Sequence, residues 1–257
     1  MKQWNRNAKD WTKSIARKVQ GGVEKAEVQT LMEKTICLQR RHINTIPTPA
    51  IEDIRSKWPY LFSQKCIYAH FELLTDLNVL RLLELAMEEC GQSIIEYFRS
   101  KSTNKNVQSA LYQGENSEVA LHVVQLLMAH FAETPDGFIL LADLSSTVAD
   151  VERTFTLPLT PRLILLGGTE QAVGRWMISL EGHVICEGIQ QAFVTGLAAL
   201  FSVYYIFNLH YQEEAAFTLE FIQRLLCFSG DLLESIQKEE QRPVEARSSP
   251  RGQGESF

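Results

Sequence analysis

The sequence lacks the short motifs by which many enzymes and metal centres are recognised. It has no C-x-x-C pair, no G-x-x-x-x-G-K-[ST] phosphate loop and no G-x-G-x-x-G fingerprint. Its cysteines are odd in number and far apart, which argues against a disulfide framework and against a zinc module. They are Cys37, Cys66, Cys90, Cys186 and Cys227. We therefore expect no catalytic residue, no cofactor, no metal and a function that is not enzymatic.

Export signals are also missing. The N-terminus has no apolar segment typical of a secretory leader, and the chain has no Asn-x-Ser/Thr acceptor for glycosylation. The 257 residues are 45% hydrophobic and 22% charged, which is typical of a globular protein with a substantial core. We expect an intracellular protein, cytoplasmic or nuclear.

Charge is absent from residues 192–209, which read AFVTGLAALFSVYYIFNL. An apolar run of this length either crosses a bilayer or forms the interior of a large domain. Thr195, Ser202 and Asn208 interrupt it, and Glu213 and Glu214 follow it where a membrane anchor would carry Lys or Arg. We predict a buried central helix within 188–209 and no membrane span. The amphipathic stretch EEAAFTLEFIQRLLCF then predicts a second helix.

Residues 1–22 form a basic arm on an acidic body. The arm has a net charge of +5 and the remaining residues −11. Its basic residues are Lys2, Arg6, Lys9, Lys13, Arg17 and Lys18. Apolar residues recur among them at helical spacing, which fits an organellar presequence, a helix for a membrane surface or calmodulin, a nucleic-acid contact, or a solvated disordered head. A solvated head is the interpretation that we favour, and the six basic residues are the candidates for a contact with nucleic acid or an acidic partner.

Residues 23–132 have the periodicity of helices. The best register, 76–101, has heptad spacing over about two and a half repeats, which fits packing within the chain or, alternatively, a dimer seam. Residues 100–116 lose the pattern and predict a connection with at most one short turn of helix, and 117–132 predict another helix. The aromatic group around Trp58 is expected to fill the core.

The pattern changes after the turn at 134–137. The run 138–142 fits a strand or a buried helical turn, and Thr147-x-x-Asp150 predicts a capping box for a short helix. The strongest strand signal is RLILL at 162–166, and 175–180 with 183–187 predict a hairpin. These segments predict a small antiparallel or mixed sheet.

Three groups of residues invite a chemical interpretation, and each has a structural alternative that we favour. Gly167-Gly168 lacks the following helix that a phosphate loop needs, so a turn is expected. His183 and Cys186 would point to opposite faces of one strand and so would not form a nucleophilic triad with Asp143. Asp143, Asp150 and Glu152 lack the spacing of metal ligands.

His122 and His130 lie eight residues apart on one predicted helix. That spacing corresponds to roughly 12 Å, too far for one metal ion. Structural histidines are expected at both positions.

Four segments carry a family resemblance: EKTICLQRRHI, IEDIRSKWPYLF, TPRLILLGG and ALFSVYYIFNLHYQEEAAFTLEFIQRLL. They resemble the C-terminal region of vertebrate, mainly fish, proteins similar to sterile alpha motif domain-containing protein three. The resemblance spans roughly residues 24–231 and implies neither an activity nor a catalytic residue. We expect no sterile alpha motif in this chain.

The sequence thus predicts a predominantly helical α+β fold. A helical part, 23–132, and an α+β part, 133–240, would form one globular domain, with the hairpin region 162–187 packed on the central helix. A disordered tail, 241–257, would follow. The predicted function is a non-enzymatic intracellular protein-interaction module with unknown partners; the alternative is a nucleic-acid-associated protein that uses residues 1–22.

Overall fold

The computed structural model describes residues 25–167, 174–188 and 192–227. The α-helices are α1 Lys25–Ile43, α2 Ile51–Lys57, α3 Gln64–Thr75, α4 Val79–Ala86, α5 Gln92–Lys101, α6 Lys105–Gln113, α7 Val119–His130, α8 Val148–Thr154, α9 Phe193–Ile206 and α10 Ala216–Cys227. A π-helical turn, Met87–Gly91, joins α4 to α5. The strands are β1 Ile139–Ala142, β2 Arg162–Leu166, β3 Arg175–Leu180 and β4 His183–Gly188. The predominantly helical α+β class predicted from the sequence is confirmed.

Helix α9 forms the centre of the molecule. All of its residues are buried except Tyr205, which is partly buried. It packs against α3 and α4 on one side and against β2 and β3 on another. The predicted buried central helix is therefore confirmed, with bounds of 193–206. Of the helices that the structure describes, none has the length and apolar character that a membrane crossing requires.

The four strands form one mixed sheet in the order β1-β2-β3-β4. β1 and β2 are parallel, whereas β2–β3 and β3–β4 are antiparallel. Side chains of alternate residues enter two separate apolar clusters, as the strand period of two requires. Leu163 and Ile178 belong to the main core with α9, whereas Ile164 and Met177 pack with Val151 of α8. The sheet therefore lies between α8 and α9.

A crossover through α8 connects the parallel strands β1 and β2. The helix begins with the predicted capping box, in which Thr147 Oγ1 accepts from the Asp150 backbone N–H and Asp150 accepts from the Thr147 N–H. Both first-turn donors are satisfied locally, which explains how so short a helix starts at a defined residue.

Trp176 of β3 joins the sheet to α9. Its indole ring is fully buried, and Nε1 donates to Thr195 Oγ1 at 2.8 Å. Glycines at positions 188 and 196 make room for the ring, because a Cβ at Gly188 would lie 2.1 Å from a ring carbon and one at Gly196 would lie 3.0 Å away. These close approaches fix the helix on the sheet.

Two glutamates at opposite ends of α7 cap two other helices. Glu118 accepts from the backbone N–H groups of Phe193 and Val194, at 2.7 and 3.3 Å, at the start of α9. Glu133 accepts from Phe217 N–H at 2.8 Å and from the backbone and hydroxyl of Thr218 at the start of α10. Negative charge at a helix N-terminus is stabilising, because four N–H groups there lack helical partners.

The prediction of a connection over 100–116 is wrong, because residues Lys105–Gln113 form α6. Asn104 starts this helix, with its side-chain oxygen accepting from Asn106 N–H at 2.9 Å. Val107 is the one residue of α6 that is fully buried, so the apolar pattern is too weak to reveal the helix. The heptad region also begins later than predicted: Asp76, in a left-handed conformation, ends α3, and α4 starts at Val79.

Candidate functional site

A cleft of about 470 Å³ opens beyond the carboxyl ends of β1 and β2. The parallel pairing brings the end of β1 beside the end of β2, and α8 closes one side. The carboxyl ends of parallel strands are a common place for ligands in α/β proteins. The cleft is lined by Leu141, Asp143, Leu144, Asp150, Phe155 and Gly167, among others.

Two exposed leucines give the cleft an apolar rim. Leu141, the third residue of β1, is 49% exposed, and Leu144 is 56% exposed. Leu144 lies against Gly174, where a Cβ would come within 2.4 Å of a leucine methyl carbon. Singly exposed leucines are common on protein surfaces, but apolar side chains grouped beside a cavity are typical of a binding surface.

The two carboxylates of the cleft differ in their availability. Asp150 is engaged by Thr147 and by Arg153, whose Nη2 lies 2.7 Å from Oδ1. The hydrogen bonds from Thr147 hold the pKa of Asp150 below its usual range, with Arg153 contributing. Asp143 is exposed and forms no ion pair among the described residues. The unengaged negative charge of the cleft therefore belongs to Asp143.

Gly167 ends β2 and contributes a turn. Its φ is 116°, a conformation that favours glycine, and its N–H donates to the Ala142 carbonyl at 3.1 Å. This geometry fits the expected turn at Gly167-Gly168, of which the second glycine lies outside the described residues.

The prediction that His183 and Cys186 point to opposite faces is wrong. A bulge between β3 and β4 shifts the register at Ile178/Ser179, so Ile185 and Cys186 both enter the main core. Burial nevertheless raises the pKa of the Cys186 thiol to about 12, which keeps it protonated and a poor nucleophile. His183 instead lies near two glutamates: Nε2 is 3.6 Å from Glu52 and Nδ1 is 3.8 Å from Glu152.

The two histidines of α7 have structural surroundings. Burial lowers the pKa of His122, which is 4% exposed and packs against Gly114. The His130 ring packs between Phe98 and Phe131, at centroid distances of 5.3 and 5.0 Å. Within the described ranges, no group of three or more His, Cys, Asp or Glu side chains is arranged to hold a metal ion.

His70 of α3 is a buried titratable group that the sequence analysis did not single out. It is 3% exposed, and Nε2 has no hydrogen-bond partner among the described residues. Burial, with a smaller effect of Arg40, lowers the pKa of His70 from its ordinary 6.5 to about 4. The imidazole is therefore neutral in the folded protein at physiological pH.

We expect His70 to make the folded state less stable in mild acid. Because the folded pKa lies below the unfolded one, its stabilisation is present above pH 6.5 and is lost as pH falls toward 4. Between pH 8 and pH 5 the loss is about 2 kcal/mol. Urea unfolding at pH 8 and at pH 5 gives the free energy of unfolding of the wild type and of His70→Gln. Between these pH values the variant should lose about 2 kcal/mol less than the wild type. An equal dependence in both proteins would contradict the assignment.

The six basic residues proposed as a contact are Lys2, Arg6, Lys9, Lys13, Arg17 and Lys18, and all lie outside the described residues. The tail 241–257 lies outside them as well. The cleft, conversely, was not predicted as a site. Its signal was present only in part, as a strand that ends at Asp143 followed by a capped helix, because the pairing of β1 with β2 is not local.

Residues 8–63 match the model of the helical domain of sterile alpha motif domain-containing protein 3. This match covers two of the four resembling segments, so the likeness to this protein is confirmed for that part of the chain. The resemblance of the other two segments, its restriction to vertebrate and mainly fish proteins, and the expected lack of a sterile alpha motif stay predictions. No curated protein and no solved structure matches the chain.

The matched segment, as far as the structure describes it, packs on the ends of the central elements. Arg40 of α1 donates to the Ile206 carbonyl at the end of α9. Phe62 stacks on Phe207 with ring centroids 5.6 Å apart. Arg55 of α2 donates to the Val184 carbonyl of β4 at 3.0 Å. The segment is thus an integral part of the fold.

Proposed function

We propose that the protein is a non-enzymatic, intracellular protein-interaction module that binds its partner at the cleft beyond the carboxyl ends of β1 and β2. The observation that carries the proposal is the exposure of Leu141 and Leu144 beside the unengaged carboxylate of Asp143. Apolar side chains next to a charge suit a protein surface better than a small polar substrate. The match of residues 8–63 to the helical domain of sterile alpha motif domain-containing protein 3 is compatible with a binding role.

The chemistry of the buried groups also supports a non-enzymatic role. The protonated thiol of Cys186 is a weak nucleophile. Glu133, whose pKa is raised by burial, is fully occupied by the start of α10. Groups that serve as caps cannot also exchange protons with a substrate without weakening the fold.

The proposal is tested by affinity capture from cell lysate with wild-type protein and with Leu141→Lys/Leu144→Lys. We expect reproducible partners for the wild type and at least tenfold less of them for the double variant. Tyr112→Lys is the matched control, because Tyr112 is 81% exposed on α6 and lies outside the cleft lining. Equal capture by all three proteins, or no reproducible partner at all, would refute the proposal.

A second function, nucleic-acid association, is favoured by the charge of +5 on residues 1–22. Lysine and arginine bind phosphates by releasing counterions, so affinity should fall steeply with salt. We expect gel shifts of DNA or RNA at low salt that disappear when Lys2, Arg6, Lys9, Lys13, Arg17 and Lys18 are all changed to Gln. The absence of a shift by the wild type at low salt would end this alternative.

A further inference from the structure

We propose that the open edge of β1 binds an extended peptide segment, in which basic and apolar residues alternate, as a fifth strand of the sheet. This inference rests on the proposed function and specifies the chemistry of the partner. Strand addition uses backbone hydrogen bonds for affinity and alternate side-chain contacts for specificity.

The backbone of β1 has free hydrogen-bonding groups on its outer side. On the inner side, Leu163 N–H donates to the Phe138 carbonyl at 3.0 Å and Gly167 N–H to the Ala142 carbonyl at 3.1 Å. Bonding residues alternate along a parallel strand, so the N–H and C=O groups of Ile139 and Leu141 point away from β2. β1 is an outer strand of the sheet, and no described backbone bond outside the sheet uses these four groups.

The opposite edge of the sheet, β4, has a backbone N–H and a backbone carbonyl that side chains already occupy. At the second residue of β4, the Val184 N–H donates to Glu152 at 2.8 Å and the Val184 carbonyl accepts from Arg55 at 3.0 Å. Proteins commonly block edge strands in this way, because an open edge pairs with other chains. β1 instead presents its edge together with the exposed side chain of Leu141.

The exposed charges at the two ends of β1 indicate a basic partner, because the neighbouring guanidinium of Arg162, which donates to the Asp136 carbonyl at 3.1 Å, is buried. Asp136 precedes the strand and Asp143 follows it; both are exposed, and neither forms an ion pair among the described residues. A peptide with Lys or Arg at alternate positions would place its charges near these carboxylates and its apolar side chains near Leu141 and Leu144. A second copy of this chain fits poorly, because pairing two β1 edges antiparallel brings the acidic strand ends toward each other.

The test uses the full chain and a dye-labelled synthetic peptide, acetyl-Lys-Val-Lys-Val-Lys-Val-amide. Binding is followed by fluorescence anisotropy, and amide exchange is measured by NMR with and without saturating peptide. We expect the N–H groups of Ile139 and Leu141 to exchange at least tenfold more slowly in the complex. The Leu140 N–H, which already faces β2, should not change. Binding without protection of Ile139 and Leu141 would overturn the inference.

Three variants separate the backbone contribution from the charge contribution. Leu141→Pro removes one outward N–H, which edge strands tolerate, and should weaken binding about tenfold, whereas Leu141→Ala retains that N–H and should weaken it less. Asp143→Lys leaves the backbone intact and should reverse the preference, so that the peptide with Glu in place of Lys binds better. Unchanged preference in Asp143→Lys would overturn the charge assignment.

The outcomes also distinguish this inference from the proposed function. If the leucine double variant loses its captured partners but the wild type does not bind the peptide, the strand-addition inference fails and the interaction function stands. If neither partners nor peptide bind, both fail. A concentration-dependent dimer that disappears in Leu141→Pro, measured by light scattering, would assign the edge to a second copy and overturn the inference.

Discussion

Trp176→Ala is expected to lower the free energy of unfolding by about 3 to 5 kcal/mol. The indole ring is fully buried between β3 and α9, and its removal leaves a cavity that Gly188 and Gly196 cannot fill. The substitution also leaves Thr195 Oγ1 without the indole N–H that donates to it at 2.8 Å. Urea denaturation followed by circular dichroism measures the loss.

Two further variants make this result interpretable. Trp176→Phe keeps much of the ring volume but loses the N–H, so its loss should be clearly smaller. Tyr112→Ala, at an 81% exposed position, should change stability by no more than about 0.5 kcal/mol. A loss below about 1 kcal/mol for Trp176→Ala would show that the ring does not join sheet and helix as described.

The second large effect is expected for Glu118→Ala, which should lower the free energy of unfolding by about 2 to 4 kcal/mol. Two N–H groups, those of Phe193 and Val194, lose their acceptor at the start of α9. Each unsatisfied donor costs about 1 to 3 kcal/mol when it is shielded from water. The lost interaction with the helix dipole adds to this cost. Thermal or urea unfolding at neutral pH measures the effect.

Glu118→Gln should give an intermediate loss, because it keeps one carbonyl oxygen and loses the charge. Glu115→Ala is the matched control: Glu115 is exposed and lies three residues earlier in the same connection. If the two alanine variants were equally stable, capping of α9 by Glu118 would be disproved.

The elements with strong local signals could be predicted from the sequence. The uncharged run containing Phe193–Ile206 requires an apolar environment on every side, and the structure encloses it. The capping box formed by Thr147 and Asp150 starts α8 as predicted. The segment RLILL forms β2, and every residue of this strand is buried. In each case the residues that determine the element are neighbours in the sequence.

The features that the sequence analysis missed depend on distant residues or on small local irregularities. The caps of Glu118 and Glu133 join residues 75 to 85 positions apart, which no local pattern reveals. The bulge in β4 moves Cys186 into the core and defeats the rule of alternation. The cleft exists because β1 pairs with β2 across an intervening helix, so Leu141 looked like an ordinary strand residue in the sequence.

The position of α9 has a consequence for shortened versions of the protein. This helix follows the sheet in the chain, yet it also contacts α3 and α4, which precede the sheet. A protease cut between residues 132 and 133 would therefore give two fragments that depend on each other for solubility. Expression of residues 8–63 alone would separate Phe62 from Phe207 and Arg40 from the helix end that it caps. Such a fragment is a poor substitute for the intact chain in any binding assay.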